Sequence, residues 1–123
     1  MGTIGIGKKQ GQSRLGECKA GLEATKHPTV RDIMWASGIF EGEGNCTDHN
    51  AGISVGQKDR WLPDRLRTLF GGSVGEHHVH RGDQHFTHFT WKACGARGRG
   101  FLMIIYQFMS PKRQMEIKHY LAA

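Results

Sequence analysis

The most informative segment of the sequence is Ala36-Ser37-Gly38-Ile39-Phe40-Glu41-Gly42-Glu43-Gly44, which combines small residues, large apolar residues and two carboxylates. A helix is predicted from Thr29, a suitable N-cap residue, to about Glu41. Glycine inside a helix costs roughly 1 kcal/mol relative to alanine, so Gly38 requires a packing reason. The small residues of this helix allow another backbone to approach closely.

The two carboxylates lie where a helix disfavours them. Acidic side chains at a helix C-terminus are destabilised by the helix dipole by roughly 0.3–1 kcal/mol, so Glu41 and Glu43 together indicate a function. The alternative is that both are solvated groups at a helix end.

The rest of the chain predicts an α+β fold in the order αββαββαα, with a four-stranded antiparallel sheet covered by helices on one face and polar on the other. The predicted strands are 45–48, 51–58, 73–80 and 84–92, and the further helices are 60–70, 100–109 and 111–121.

Two details follow from the apolar pattern. Val74 and Val79 have opposite parity, which predicts a bulge or register change in the strand before the turn at residues 81–83. The helix at 100–109 is predicted to bury the face that carries Phe101, Ile104, Ile105 and Phe108.

Length and composition indicate one small globular domain: 123 residues, 37% hydrophobic and 23% charged. Residues 1–28 are expected to form a basic, Gly-rich flexible arm, and residues 29–123 the folded domain.

The longest apolar run is too short to cross a bilayer, and the N-terminus lacks a signal-peptide core, so we expect no membrane partner and a cytoplasmic type of compartment. The cysteines, Cys18, Cys46 and Cys94, do not suggest a disulfide framework.

The net charge of +6 is unevenly distributed. Residues 1–30 carry +3, residues 31–58 carry −2, and residues 59–123 carry +5. A basic chain with one acidic island favours a polyanionic partner and a site that handles cations, although many small basic domains are merely soluble.

The nine-residue stretch resembles the signature motif of the LAGLIDADG homing endonucleases, in an acidic variant ending Glu-Gly-Glu-Gly. The resemblance covers about residues 30–121. It implies a single-motif, intron-encoded or otherwise mobile endonuclease that hydrolyses double-stranded DNA as a homodimer at a near-palindromic site, with Mg²⁺ or Mn²⁺ as cofactor. Glu43 and Gly42 would hold the metal, and the dimer interface would be formed by Ser37, Gly38, Glu41 and Gly42.

Two further segments resemble parts of the same family. Gln57, at the end of the second strand, matches a polar active-site position, and Lys112 matches a lysine near the scissile phosphate. With Glu43, these are the expected catalytic residues. The alternatives are an ordinary strand-end glutamine and an ordinary first-turn lysine.

The open face of the sheet is the expected DNA surface, because antiparallel strands can lie in the major groove. Arg81, at the hairpin tip, is expected to meet phosphate. The other expected contacts are Ser54, Lys58, His88, Thr90 and Lys92.

Five histidines are best explained as part of a DNA-facing hairpin: His77, His78, His80, His85 and His88. A zinc site with Cys46 and His49 is disfavoured because structural zinc ligands usually occur in tighter pairs.

The first hairpin is shorter than is usual in the family. The alternative function is therefore a catalytically inactive relative that binds nucleic acid, as an RNA splicing maturase or a DNA-binding regulator. A purely structural basic protein would leave the motif unexplained.

Overall fold

The computed structural model describes residues 24, 27–47 and 52–122. Almost all of the expected N-terminal arm, and the expected turn at 48–50, lie outside these residues. The architecture is α+β, and its element order is the predicted one. The elements are α1 (Val30–Glu43), β1 (Gly44–Cys46), β2 (Ile53–Gln57), α2 (Trp61–Phe70), β3 (Ser73–Arg81), β4 (Gln84–Ala93), α3 (Gly95–Ile105), a 3-10 turn (Tyr106–Phe108) and α4 (Pro111–Ala122).

Helix α1 begins where the sequence predicts. The Thr29 hydroxyl accepts a hydrogen bond from the Asp32 backbone N–H at 3.1 Å, and the Asp32 carboxylate accepts one from the Thr29 N–H at 2.9 Å. This reciprocal capping box satisfies two backbone donors at the helix start. The helix ends two residues later than predicted, because the Gly44 N–H still donates to the Phe40 carbonyl.

The four strands form one antiparallel sheet in the order β1-β2-β4-β3. Strands β3 and β4 pair without interruption from Ser73 opposite Lys92 to Arg81 opposite Gln84, so the predicted bulge is wrong. Val74 and Val79 simply point to opposite faces. Val74 packs against the core, whereas Val79 pairs with Phe86 on the other face, so no register change is needed.

The core lies between one sheet face and the helices. Trp91 is fully buried at its centre, and its indole N–H donates to the Gly71 carbonyl at 2.8 Å. The Phe101 ring makes edge contacts with Phe40, Phe70 and Trp91 at centroid distances of 5.7, 4.9 and 5.1 Å. The predicted layer arrangement, with helices on one side of the sheet, is therefore present.

Helix α3 differs from its prediction in its start and in its buried face. It begins at Gly95 and buries Gly98, Phe101, Leu102 and Ile105, whereas Ile104 and Phe108 are 41% and 42% exposed. The buried set and the predicted set have the same spacing, i, i+3, i+4, i+7, but are offset by three residues, which rotates the buried face by about 60° around the helix axis. Because the segment is apolar nearly all round, periodicity alone could not choose between the two faces.

Within the described residues, no helix combines the length and the apolar character needed to cross a membrane.

Candidate functional site

The sheet face turned away from the helices is polar, as predicted. Ser54 lies opposite Lys92, and Gly56 lies opposite Thr90. These positions alternate with the buried positions Ile53, Val55 and Trp91, so their side chains point to the uncovered face. Ser54, Thr90 and Lys92 therefore lie on the surface that the sequence assigned to DNA.

A groove of about 380 Å³ on this face collects several of the expected site residues. The Lys58 ammonium lies 4.4 Å from the centre of the Phe86 ring. The His88 ring covers Gly56 so closely that a Cβ there would be 2.9 Å from Nε2 of His88. The full lining is Gly56, Gln57, Lys58, Val79, Arg81, Phe86 and His88.

Helix α1 has one face that the described residues of the chain leave uncovered. Gly38 and Gly42 are exposed, and a Cβ built at either would meet nothing within 4 Å. Val30 and Met34, which are 69% and 55% exposed, precede them at four-residue spacing. We call Val30, Met34, Gly38 and Gly42 the outer stripe of α1. Positions four apart lie on one helix face, so the stripe is continuous along the helix.

Two residues expected at a dimer interface are engaged within the chain instead. Ser37 is only 3% exposed, and its hydroxyl donates to the Ile33 carbonyl at 2.7 Å. The Glu41 carboxylate accepts hydrogen bonds from the Ser110 N–H and the Ser110 hydroxyl, both at 2.8 Å. Of the four expected interface residues, Gly38 and Gly42 are therefore the exposed ones.

Glu41 holds the N-terminus of α4 against the C-terminal end of α1. The backbone hydrogen bond from Ser110 lowers the pKa of Glu41 most strongly, and the Ser110 hydroxyl and the Arg113 charge lower it further against the opposing effect of desolvation. The Ser110 hydroxyl also accepts from the Arg113 N–H at 3.3 Å, as an N-cap side chain does.

Arg113 is the main residue of this region that the sequence analysis missed. Its guanidinium donates to the Glu41 carbonyl at 3.2 and 3.3 Å and to the Gly44 carbonyl at 2.7 Å. It also pairs with Glu116 at 2.7 Å. These bonds satisfy carbonyls where α1 ends and β1 begins. A Ser-Pro pair before a helix could have indicated the cap at Ser110, but no local pattern places Arg113 on the end of a distant helix.

Lys112 reaches the same end of α1. It lines a cleft of about 480 Å³ together with Glu41, Gly44, Asn45, Arg113 and Glu116. Lys112 is exposed, as is Glu43, which immediately precedes Gly44.

Gln57 borders this region from the sheet. Gly44 pairs with Val55, and Gln57 lies two residues further along β2. Gln57 is therefore at the end of this inner strand, on the side of the sheet where α1 leads into β1. It lines the groove of the open face, however, and does not line the cleft of Lys112. The three expected catalytic residues thus surround the end of α1 without lining a single cavity.

The described residues contain no group of three or more histidine, cysteine or acidic side chains placed to hold an ion. Glu43 and the Gly42 carbonyl at the helix end could supply oxygen ligands to a hard cation such as Mg²⁺ or Mn²⁺, as part of a coordination shell.

The disfavoured zinc alternative gains no support. Burial raises the pKa of the Cys46 thiol to about 11, with the nearby Glu116 charge acting in the same direction and Arg113 opposing it. Cys46 is therefore a neutral thiol near pH 7 in the absence of a metal. His49, the other half of that pair, lies outside the described residues.

The histidine cluster is divided between the two faces of the hairpin. By strand parity, His77 and His88 lie on the open face, whereas His78, His80 and His85 lie on the opposite one. The sequence alone does not predict which face each histidine takes. The tip of the hairpin is exposed on both faces, so no alternation of apolar and polar residues marks a buried side there.

No protein-family model, no curated protein and no solved structure matches this chain.

Proposed function

We propose that this chain is a single-motif endonuclease of the LAGLIDADG type, which cuts double-stranded DNA as a homodimer at a near-palindromic site. The observation that carries the proposal is the outer stripe of α1 ending in the exposed Glu43 carboxylate. The part of the chain that the structure describes gives no reason for glycine at Gly38 and Gly42, where a side chain would have open space. A second helix packed against the stripe gives one.

Two-fold symmetry would complete the site. In a dimer packed through the outer stripe with both helix C-termini on the same side, two copies of Glu43 meet near the symmetry axis. Two carboxylates and the adjacent Gly42 carbonyls form an all-oxygen set that suits Mg²⁺ or Mn²⁺. When bound, such a metal stabilises charge on the scissile phosphate and helps generate a water nucleophile.

The polar residues around the end of α1 have roles that fit this chemistry. Lys112 presents an exposed ammonium in the cleft beside Gly44, where it can stabilise negative charge that develops on a phosphate. Gln57, at the end of β2, can orient water or a phosphate oxygen by hydrogen bonding. Glu41 and Arg113 act as positioning residues, because they tie α4, and hence Lys112, to the end of α1.

The open sheet face provides the DNA surface. Lys58, Arg81 and His88 share its groove, and Thr90, Ser54 and Lys92 continue the same face. Positive charge attracts the phosphate backbone, and the polar side chains can reach base edges. Because β1 has only three residues, this surface is narrow at its β1 edge, and we expect modest sequence discrimination there.

The proposal is tested by incubating the full chain with a randomised double-stranded DNA library and Mg²⁺, with the Glu43→Gln variant in parallel. We expect sequence-specific cuts with the parent and a loss of at least about a thousandfold with the variant, the scale associated with removing a key charge-stabilising group. Glu76→Gln is the matched control, since Glu76 is also an exposed carboxylate but lies on the sheet face opposite to the DNA surface. Equal cleavage by Glu43→Gln and the parent would reject the metal site.

The alternative function is a non-cutting nucleic-acid-binding protein, such as an RNA splicing maturase or a DNA-binding regulator. It would be supported by metal-independent binding of a selected DNA or RNA sequence without any cleavage. Lys58→Gln should weaken binding in both cases, and should reduce the slope of log affinity against log salt by about 1 if Lys58 contacts a phosphate.

A further inference from the structure

The tip of the β3–β4 hairpin carries a pair of facing imidazoles that the proposed endonuclease function does not use. His80 lies directly opposite His85, and both are exposed. Their ring centroids are 4.5 Å apart with the planes at 80°, and Nδ1 of one ring contacts Nδ1 of the other.

The strand register explains why these rings meet. A two-residue turn at Gly82–Asp83 places Arg81 opposite Gln84, and Gly82 has the positive φ of 58° that such turns favour at their first central position. Hydrogen-bonded and non-hydrogen-bonded pairs alternate from the turn, so His80 and His85 form a non-hydrogen-bonded pair, in which side chains are closest.

We propose that His80 and His85 form a two-ligand site for a divalent late transition-metal ion of the Ni²⁺, Cu²⁺ or Zn²⁺ class. Imidazole nitrogen is a preferred ligand of these ions, and the two rings bring one Nδ1 each to the same exposed place at the hairpin tip. No third histidine, cysteine or acidic side chain among the described residues completes a group with them, so water fills the remaining positions.

The proton balance of the site is simple. In the free pair, one ring donates its Nδ1–H to the Nδ1 lone pair of the other. On binding, that ring carries its proton on Nε2 after exchange with water, and both Nδ1 lone pairs bond to the metal. A neutral pair therefore binds the metal without net proton release.

The neighbouring histidines do not share this arrangement. His78 lies on the same face, but its ring nitrogens are directed to the Thr87 hydroxyl at 3.3 Å and the Glu76 carboxylate at 3.5 Å. His77 and His88 also face each other across the strands, on the open face. Their rings diverge, however: that of His77 lies near Gly75, and that of His88 covers Gly56.

This divergence gives a matched control within one hairpin. Titration of the full chain with Ni²⁺ alone, followed by calorimetry, should give one site whose affinity falls at least about tenfold in the His80→Ala/His85→Ala variant. The His77→Ala/His88→Ala variant removes the same number of imidazoles from the same strands and should keep the affinity of the parent.

Thermal unfolding distinguishes a site in the folded hairpin from ligands elsewhere in the chain. Ni²⁺ should raise the Tm of the parent and of His77→Ala/His88→Ala, because it binds the folded state, and should leave the Tm of His80→Ala/His85→Ala unchanged. All four positions are partly or fully exposed, so the apo variants should fold. Undiminished Ni²⁺ binding in His80→Ala/His85→Ala, or its loss in the control variant, would overturn the proposal.

Discussion

The two sides of helix α1 differ in how far the folded chain explains them. On the inner side, Ala36, Ser37 and Phe40 are buried, and each has a packing partner or hydrogen bond in its own chain. The outer stripe, Val30, Met34, Gly38 and Gly42, is exposed, and its glycines face open space. The fold of the described residues therefore explains the inner side, and the second copy proposed above would cover the outer side.

Truncation of one large residue on each side gives the strongest contrast. Phe40→Ala should lower the free energy of unfolding by about 3–5 kcal/mol, because a fully buried aromatic ring leaves a cavity. Met34→Ala should cost less than about 1 kcal/mol at low protein concentration, since 55% of Met34 is exposed. Urea unfolding measures both.

Unfolding of the parent and of Met34→Ala should also be compared at several protein concentrations. If a second copy covers Met34, dimerisation stabilises the parent more than the variant. The difference between their free energies of unfolding should then increase with protein concentration. A large penalty for Met34→Ala in dilute monomer would mean that the outer stripe already supports the single-chain fold.

Glycine substitutions test the same distinction at the end of the helix. A Cβ at Gly44 would lie 2.5 Å from both Cγ and the carbonyl oxygen of Phe40, so Gly44→Ala should cost about 1–3 kcal/mol through overpacking. Gly42→Ala has open space and should instead stabilise the monomer by about 0.5–1 kcal/mol, since alanine favours helix. Thermal unfolding of dilute protein should show a lower Tm for Gly44→Ala and a higher Tm for Gly42→Ala. A higher Tm for Gly44→Ala would show that the close contact with Phe40 does not require glycine at this position.

The Glu41 carboxylate at the helix end should make stability depend on pH. Glu41 has a folded-state pKa below the ordinary 4.5, so its contribution to stability is complete above that pH and is lost as the pH falls through the lowered folded value. Glu41→Gln should therefore cost about 1 kcal/mol at pH 7 and progressively less below pH 4.5.

Glu43→Gln is the control for that experiment. Glu43 is exposed, and its replacement should change the free energy of unfolding by less than about 0.5 kcal/mol at pH 7. Chemical denaturation between pH 3 and pH 7 compares the variants. A Glu41→Gln penalty that does not change over this range would contradict the assignment of the stabilisation to the ionised carboxylate.

Much of the fold could be predicted from local chemistry. The cap at Thr29, the stop at Gly71 and the Ser110-Pro111 break are local signals, and the alternation along β2 and β4 sets the two sheet faces. The buried face of α3 could not be predicted, because apolar residues surround that helix and tertiary packing makes the choice.

The candidate site was predictable only in part. The motif identified Glu43 and the small residues beside it, and strand parity placed Ser54, Thr90 and Lys92 on the open face. The hydrogen bonds from Arg113 to the end of α1, and from Ser110 to Glu41, join segments about 70 residues apart in sequence. Local patterns carry no information on such contacts.

The most direct test of the outer stripe is the mass of the protein in solution and on DNA. Sedimentation over a range of concentrations should show a dimer for the parent and a monomer for Gly38→Leu, whose new side chain would occupy the space of a second helix. At dilution, the two chains should have closely similar Tm values, because Gly38 faces open space in the monomer. A parent that remains a monomer at every concentration, and also binds DNA as a monomer, would contradict the proposal.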